Sequence, residues 1–405
     1  MLRSGSICMN LLYNYFTMDD NSNNNNSDGG DILNDKHLKL KCLTETFRNY
    51  GGVLAKISQI LCSNDQDNKV FSDCNPFSQD KTVNFIKNEF QNNQIFNDVL
   101  ELDFNVYKSG SVGQVHKGTY KNLIGDTKNI ILKVQYVGLY EQVKSDLYIL
   151  DMISKYLFSF TDLTNAMSDM KNKMYEELDY RIELKNHQKM YKLWNSHEYI
   201  KIPEIIPEIS NEKILGMYFI EARDLNTFIE NSTQEERNKI GELMIEFVFK
   251  NIFVYNIFYS DIHYGNFLIQ DEFLYVMDFG CLTEMPIELV NNLKNLYKYL
   301  LNQDKDSFYE TLENMNIIKN NISCESKEYV YEYFMLQFEP LLLDFFEFTE
   351  KWVEKASYKK TELMKEWYLP TNMVYLNKIP FGLYHILSKL KISGNFKELF
   401  QKIIN

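Results

Sequence analysis

The chain has no run approaching the roughly 18 uncharged apolar residues that a membrane-spanning helix needs. Even its apolar stretch from Ile245 to Tyr259 is interrupted by Glu246, Lys250, Asn251 and Asn256. Positive charge is short as well: 43 Lys and Arg stand against 56 Asp and Glu, a formal net charge of -13. Binding along a phosphate backbone needs the opposite balance, which argues against a general nucleic-acid binder and leaves room only for local basic patches. The six cysteines, Cys8, Cys42, Cys62, Cys74, Cys281 and Cys324, form no C-x-x-C pair and have no His at metal-ligand spacing. They read as reduced thiols in a cytosol-like compartment. No repeat of solenoid period occurs. These absences describe a protein that is soluble or peripheral to a membrane, in a reducing compartment.

With 405 residues and 45% hydrophobic content, the chain can bury one large bilobed domain or two ordinary ones. Residues 1–18 hold one Arg and no acid but lack the Arg-rich amphipathic character of a transit peptide. Residues 19–31, DDNSNNNNSDGGD, cannot bury enough apolar surface to order themselves, so 1–35 is expected to be a disordered tail. Amphipathic patterns over 36–61 and 82–102 predict a helical N-terminal extension, 36–103.

From Phe104 the runs FNVYK, QVHKGTY and NIILKVQYV predict a small antiparallel sheet. Helical sequence follows from Gly138 to Trp194, and KIPEII and EKILGMYFI are expected to close this lobe at about 221. Residues 222–405 read as mainly helical. There Ile240, Leu243, Met244, Phe247, Val248, Asn251, Ile252 and Tyr255 recur at helical spacing and mark a buried helix. The expected fold is therefore α+β: a small sheet lobe and a helical lobe, preceded by a helical extension.

Four signals that carry chemistry occur in order. The first is Gly110-Ser111-Val112-Gly113-Gln-Val115, a turn between strands whose glycines let backbone N–H groups approach phosphate oxygens. A plain hairpin has the same look. The second is Lys133 on an apolar strand, placed to neutralise α- and β-phosphates; an edge-strand lysine reaching for solvent is the alternative. The third is Glu176-Glu177-Leu-Asp179 with Glu183, predicted on one helix, which puts Asp179 and Glu183 on one face. A solvated acidic face is the bland reading.

The fourth is the most specific. Asp261-Ile-His-Tyr-Gly-Asn266 has the five-residue step of the kinase catalytic loop, and Asp278-Phe-Gly280 follows twelve residues after Asn266. Phosphoryl transfer needs this set: Asn266 and Asp278 to hold magnesium against the phosphates of ATP, and Asp261 to take a proton from, or orient, the attacking hydroxyl or water. His263 has no second His or Cys at suitable spacing, which favours a structural hydrogen bond over metal ligation.

Three features depart from ordinary protein kinases. Tyr259-Ser260 stand where His-Arg usually precedes the catalytic Asp. About eight residues separate Gly280 from the next expected helix near Glu288, without Ala-Pro-Glu. The extension carries Gly51-Gly-Val-Leu-Ala-Lys56-Ile-Ser-Gln59. Together these resemble the UbiB (aarF-domain, ADCK) family of atypical kinases, from about Lys36 to Leu376-Asn-Lys-Ile-Pro-Phe-Gly382. The resemblance assigns Lys56 and Gln59 to a KxGQ motif, Glu177 and Asp179 to an ExD motif, and Glu183 to the partnership with Lys133. Ser58 stands where the family has Gly, and Lys108-Ser-Gly110 where it has alanines.

What the resemblance implies is an ATP- and magnesium-dependent ATPase or small-molecule kinase in ubiquinone or other isoprenoid-lipid biosynthesis. It also implies an isoprenoid or quinone-like lipid and a membrane surface as partners, and a mitochondrial setting. A pseudokinase scaffold of a membrane-associated complex is the main alternative, and a Ser/Thr protein kinase is the third.

Overall fold

The computed structural model describes residues 79–92, 98–110, 112–121, 124–157, 175–318, 322–363 and 379–404. The expected tail, the first expected helix with Lys56 and Gln59, and Ser111 lie outside these residues. The described chain forms two compact units: one holds the residues up to Arg181 together with Ile206–Phe219, the other Ile182–Ile205 and everything from Ile220. Among the described residues no helix is long and apolar enough to cross a membrane.

The first unit is an antiparallel sheet with the helix Gln79–Asn92 packed on its buried face. Strands Gly113–Lys121, Thr127–Gln135 and Ile214–Tyr218 pair in that spatial order. The outer edge of Gly113–Lys121 takes two short partners, Val99–Leu102 and Lys108–Ser109. Alternation decides which side faces in: Ile130, Leu132 and Val134 are fully buried, with Ile206, Ile209, Ile214 and Ile86 of the helix Gln79–Asn92 packed on them. Ile131 and Lys133 therefore project to the other face. A second helix, Leu139–Leu157, follows the sheet.

Three expectations are corrected here. The helix predicted over 82–102 stops at Asn92, and Val99–Leu102 is a strand; a four-residue apolar run fits either period, and the edge of Gly113–Lys121 selects the extended form. The run KIPEII does not close this sheet as one strand. Ile200–Lys201 pairs in parallel with Leu274 and Tyr275 of the second unit, while Ile206 joins the core of the first. Asp179 does not sit within a helix: the helix begins at Tyr180, and Asp179 accepts the amide of Arg181 at 3.0 Å, as a residue capping a helix start does. Asp179 and Glu183 thus do not form the expected pair on one helix face.

The second unit is built around the helix Gln234–Phe253, started by a capping box in which Thr233 and Glu236 satisfy each other's backbone N–H groups. Ile240, Leu243, Met244, Phe247, Val248, Asn251 and Ile252 are all buried, as their spacing predicts, whereas Tyr255 lies two residues past the end of the helix and is half-buried. The buried Asn251 accepts the indole N–H of Trp194 at 3.0 Å. Against this helix lie the strand Ile257–Tyr259, the strand Phe273–Val276, which pairs with Phe267–Gln270, and the helices Ile287–Asn302 and Phe396–Ile404, on which Cys324–Leu342 packs in turn.

Candidate functional site

In the first unit, Lys133 occupies an interior strand, opposite Val115 on one side and Leu215 on the other. That position rules out the edge-strand reading. Its Nζ lies 5.1 Å from the Tyr180 ring centroid, a cation held over an aromatic face. The glycine turn is closed by Gly110 N–H donating to Gly113 O at 2.8 Å, and the Tyr136 hydroxyl donates to Gly110 O at 3.1 Å.

The two glycines of this turn have different reasons to be there. A Cβ on Gly113 would lie 2.4 Å from Val134 O and 2.6 Å from the Tyr180 hydroxyl, closer than real atoms approach. On Gly110 it would meet only Gly113 O, at an ordinary 3.5 Å. Close packing requires the second glycine and tolerates a methyl at the first. Behind the turn, His116 is fully buried. Its Nδ1–H donates to Asp103 O at 3.0 Å, which leaves Nε2 to accept from Gln114 at 3.0 Å. Burial holds the His116 imidazole below its ordinary titration range.

Glu177 lies half-buried in the turn before the helix Tyr180–Trp194. Asp179 takes the Arg181 guanidinium as a fork, Nε at 2.9 Å and Nη2 at 2.8 Å. These bonds hold the Asp179 carboxyl below its usual range.

In the second unit the catalytic-loop residues are brought together. The strand Ile257–Tyr259 pairs antiparallel with Leu282–Glu284, and Ser260 N donates to Cys281 O at 3.1 Å, so the entry to Asp261 and the exit from Gly280 are tied. Asn266 Nδ2 donates to Asp261 Oδ2 and to Asp261 O, both at 2.9 Å. Asn266 is buried, and with its N–H groups turned to Asp261 its Oδ1 is the atom left to accept. Asp278 Oδ1 accepts Gly280 N–H at 2.9 Å. His263 Nδ1 accepts Gly265 N–H at 2.9 Å, which fixes the proton on Nε2, 3.5 Å from Asp261 Oδ2. The structural hydrogen bond expected of His263 is present.

Phe279 is fully buried between Tyr259, at 5.8 Å between ring centroids, and His187, at 5.0 Å. Burial of such a ring stabilises by about 1.5–3 kcal/mol and anchors Asp278 beside it. Glu183 belongs to this cluster: its Oε2 lies 3.8 Å from the place a Cβ on Gly280 would occupy. One turn further along the same helix, Asn186 Nδ2 donates to Phe279 O at 3.0 Å. Sequence reasoning missed Asn186, although its step of three from Glu183 put both on one face. It also missed the π-helical turn Ile379–Tyr384, where a Cβ on Gly382 would fall 2.6 Å from Ile262 O. This backbone contact backs the catalytic loop, and His385 meets Tyr264 edge-on at 6.2 Å.

The donor set suits magnesium. No cluster of three or more His, Cys, Asp or Glu able to hold a metal occurs among the described residues. Magnesium bound with a nucleotide does not need one, since one or two protein oxygens suffice when phosphates supply the rest. Asn266 Oδ1 and the Asp278 carboxylate are hard oxygen donors of that kind.

A family model described as the ABC1 atypical kinase-like domain matches residues 69–312, more than half of the chain. The chain is 23% identical over 409 residues to a probable serine/threonine-protein kinase, abkA, of Dictyostelium discoideum, covering 89% of this chain and 71% of that protein. It is 24% identical over 319 residues to the mitochondrial atypical kinase coq-8 of Caenorhabditis elegans, covering 75% of this chain and 41% of the relative. With the mitochondrial atypical kinase COQ8 of Saccharomyces cerevisiae the identity is 23% over 298 residues, covering 69% and 57%. The chain thus spans roughly half the length of these last two relatives. Among solved structures, that of Rv3197 from Mycobacterium tuberculosis with erythromycin has the same fold: TM-score 0.69 at 20% identity, over 93% of this chain and 98% of that one.

Proposed function

We propose that this chain, which belongs to the ABC1 atypical kinase-like family, binds ATP with magnesium and either hydrolyses it or phosphorylates a small molecule or lipid. The observation that carries this reading is the Asp261–Asn266–Asp278 cluster. Asn266 is turned by two hydrogen bonds to Asp261, which leaves its Oδ1 as the atom available to accept or ligate, and Asp278 is fixed by Gly280 N–H and by the burial of Phe279.

In this reading Asn266 and Asp278 hold magnesium, which when bound neutralises charge on the phosphates. Asp261 orients the attacking hydroxyl or water and takes its proton. Lys133 neutralises the α- and β-phosphates with Glu183 as its partner, and the amides of the turn Gly110–Val115 approach the phosphates. The family resemblance supports a role in ubiquinone or isoprenoid-lipid biosynthesis, a quinone-like lipid as partner, contact with a membrane surface, and Lys56, Gln59, Glu177 and Asp179 as family-motif residues.

The test is ATP turnover by the purified full chain with magnesium, alone, with vesicles containing an isoprenoid quinone, and with a Ser/Thr peptide. Turnover without peptide, raised by the vesicles, is expected. ATP binding without turnover under any condition would instead make the protein a scaffold, and transfer to the peptide would make it a protein kinase.

A further inference from the structure

His263 stands two residues after Asp261, at the start of the short turn Tyr264–Asn266. Its Nδ1 is taken by Gly265 N–H, so the proton lies on Nε2. That second nitrogen is set beside the candidate base: Nε2 lies 3.5 Å from Asp261 Oδ2, and the side chain is 54% exposed. Capping the turn uses one nitrogen of the ring. An asparagine does the same with a shorter side chain, since its oxygen bonds the amide two residues on. The turn therefore does not account for the imidazole's far end.

The groups assigned to the chemistry are all acceptors. Asp261, Asp278 and Asn266 Oδ1 present oxygens, and the Asn266 N–H groups are turned to Asp261. A phosphoryl group in transit spreads its charge over three oxygens that are acceptors too, and stabilising it takes donors or cations aimed at them. His263 Nε2–H is a donor that the same loop sets next to Asp261. Resting on the magnesium-nucleotide reading, we infer that His263 is a further catalytic residue, its Nε2–H donating to an oxygen of the γ-phosphoryl group. Asp261 takes the proton of the attacking hydroxyl or water as that oxygen bonds to phosphorus and the bond to the ADP oxygen breaks; His263 keeps its proton throughout. The two nitrogens have separable jobs: Nδ1 shapes the turn, and Nε2–H meets the phosphoryl group.

The test compares the full-length protein with its His263→Asn and His263→Gln variants, because each keeps one nitrogen's job. Asparagine can still accept Gly265 N–H but has nothing at the Nε2 position, whereas glutamine carries an N–H donor out to it. Three quantities are read: the melting temperature, the affinities for ADP and for the non-hydrolysable analogue AMP-PNP by calorimetry with magnesium, and ATP turnover. His263→Asn is expected to melt with the wild type and bind ADP equally well, while AMP-PNP affinity falls about tenfold, the effect of one hydrogen bond to a charged group, and turnover falls with it. His263→Gln should melt lower and keep a ratio of AMP-PNP to ADP affinity nearer the wild-type one. An unchanged ratio in His263→Asn, or a ratio as low in His263→Gln, would overturn the inference and leave the magnesium-nucleotide reading intact. Affinities for both nucleotides that fall by the same factor would assign His263 to the shape of the loop, which also overturns it. A wild-type protein that binds neither nucleotide would overturn the inference and the reading together.

Discussion

The glycine turn of the first unit and the catalytic loop of the second bear the two halves of the proposed chemistry, and they are held in different ways. In the loop, functional side chains are tied to one another and to nearby amides: Asn266 to Asp261, Asp278 to Gly280, His263 to Gly265. In the turn no such network of functional side chains is present among the described residues. Its shape is set by backbone hydrogen bonds and by the close approach of Gly113 to Val134 O and the Tyr180 hydroxyl. Replacing a side chain in the loop should therefore change chemistry while the fold stands. Replacing a residue in the turn should act through packing first.

The sharpest way to break that contrast is Gly113→Ala. Its methyl clashes with both the strand carrying Val134 and the Tyr180 hydroxyl, and overpacking of this kind costs about 1–3 kcal/mol. A clear fall in melting temperature and a weaker response to ATP are expected together. A stable variant would show that the turn is more yielding than its contacts indicate.

A smaller effect comes from His116, which braces the strand behind the turn. Its folded titration point lies below the ordinary 6.5, so well above pH 6.5 the imidazole is neutral whether the chain is folded or not. Below 6.5 the unfolded chain takes the proton more readily, and stability falls with pH until the depressed folded value is passed. His116→Gln removes that term. Its melting temperature should fall less steeply than that of the wild type as the pH drops below 6.5. Parallel curves would mean that the buried imidazole is not coupled to folding.

The smallest effect is expected at Gly110, where the φ angle is not in the left-handed region and a methyl has ordinary room. Gly110→Ala should hold or raise stability, by at most about 0.5–1 kcal/mol. If the backbone there must close on phosphates, ATP affinity should nonetheless drop. Titrating ATP alongside the melting curve separates the two: equal affinities would mean this residue has no part in nucleotide handling.

The loop was more legible in the sequence than the turn, for a physical reason. The five-residue step from Asp261 to Asn266 and the twelve-residue hairpin to Asp278 are local, so the order of residues nearly dictates who meets whom. The buried helix Gln234–Phe253 was legible for the same reason, since its spacing encodes its faces. Partnership across the sheet is not local. The sequence of KIPEII does not say that Ile200–Lys201 will find Leu274 while Ile206 turns to another core. Asp179 reads equally well as one end of an i, i+4 pair or as a cap, and only the start of the helix at Tyr180 decides. Likewise Gly110 and Gly113 are the same letter, and the difference between them lies in Val134 and Tyr180, which are 21 and 67 residues downstream of Gly113.

The central claim is that Asn266 and Asp278 form a magnesium site for ATP, and thermal melting of the wild type and Asp278→Asn, with ATP in magnesium or in EDTA, tests it most directly. The variant loses one anionic oxygen while Phe279 stays buried, so it should fold. ATP is expected to raise the wild-type melting temperature more in magnesium than in EDTA, and Asp278→Asn should lose that magnesium-dependent increment. An increment of equal size in both proteins would contradict the assignment of Asp278 and with it the account of the site.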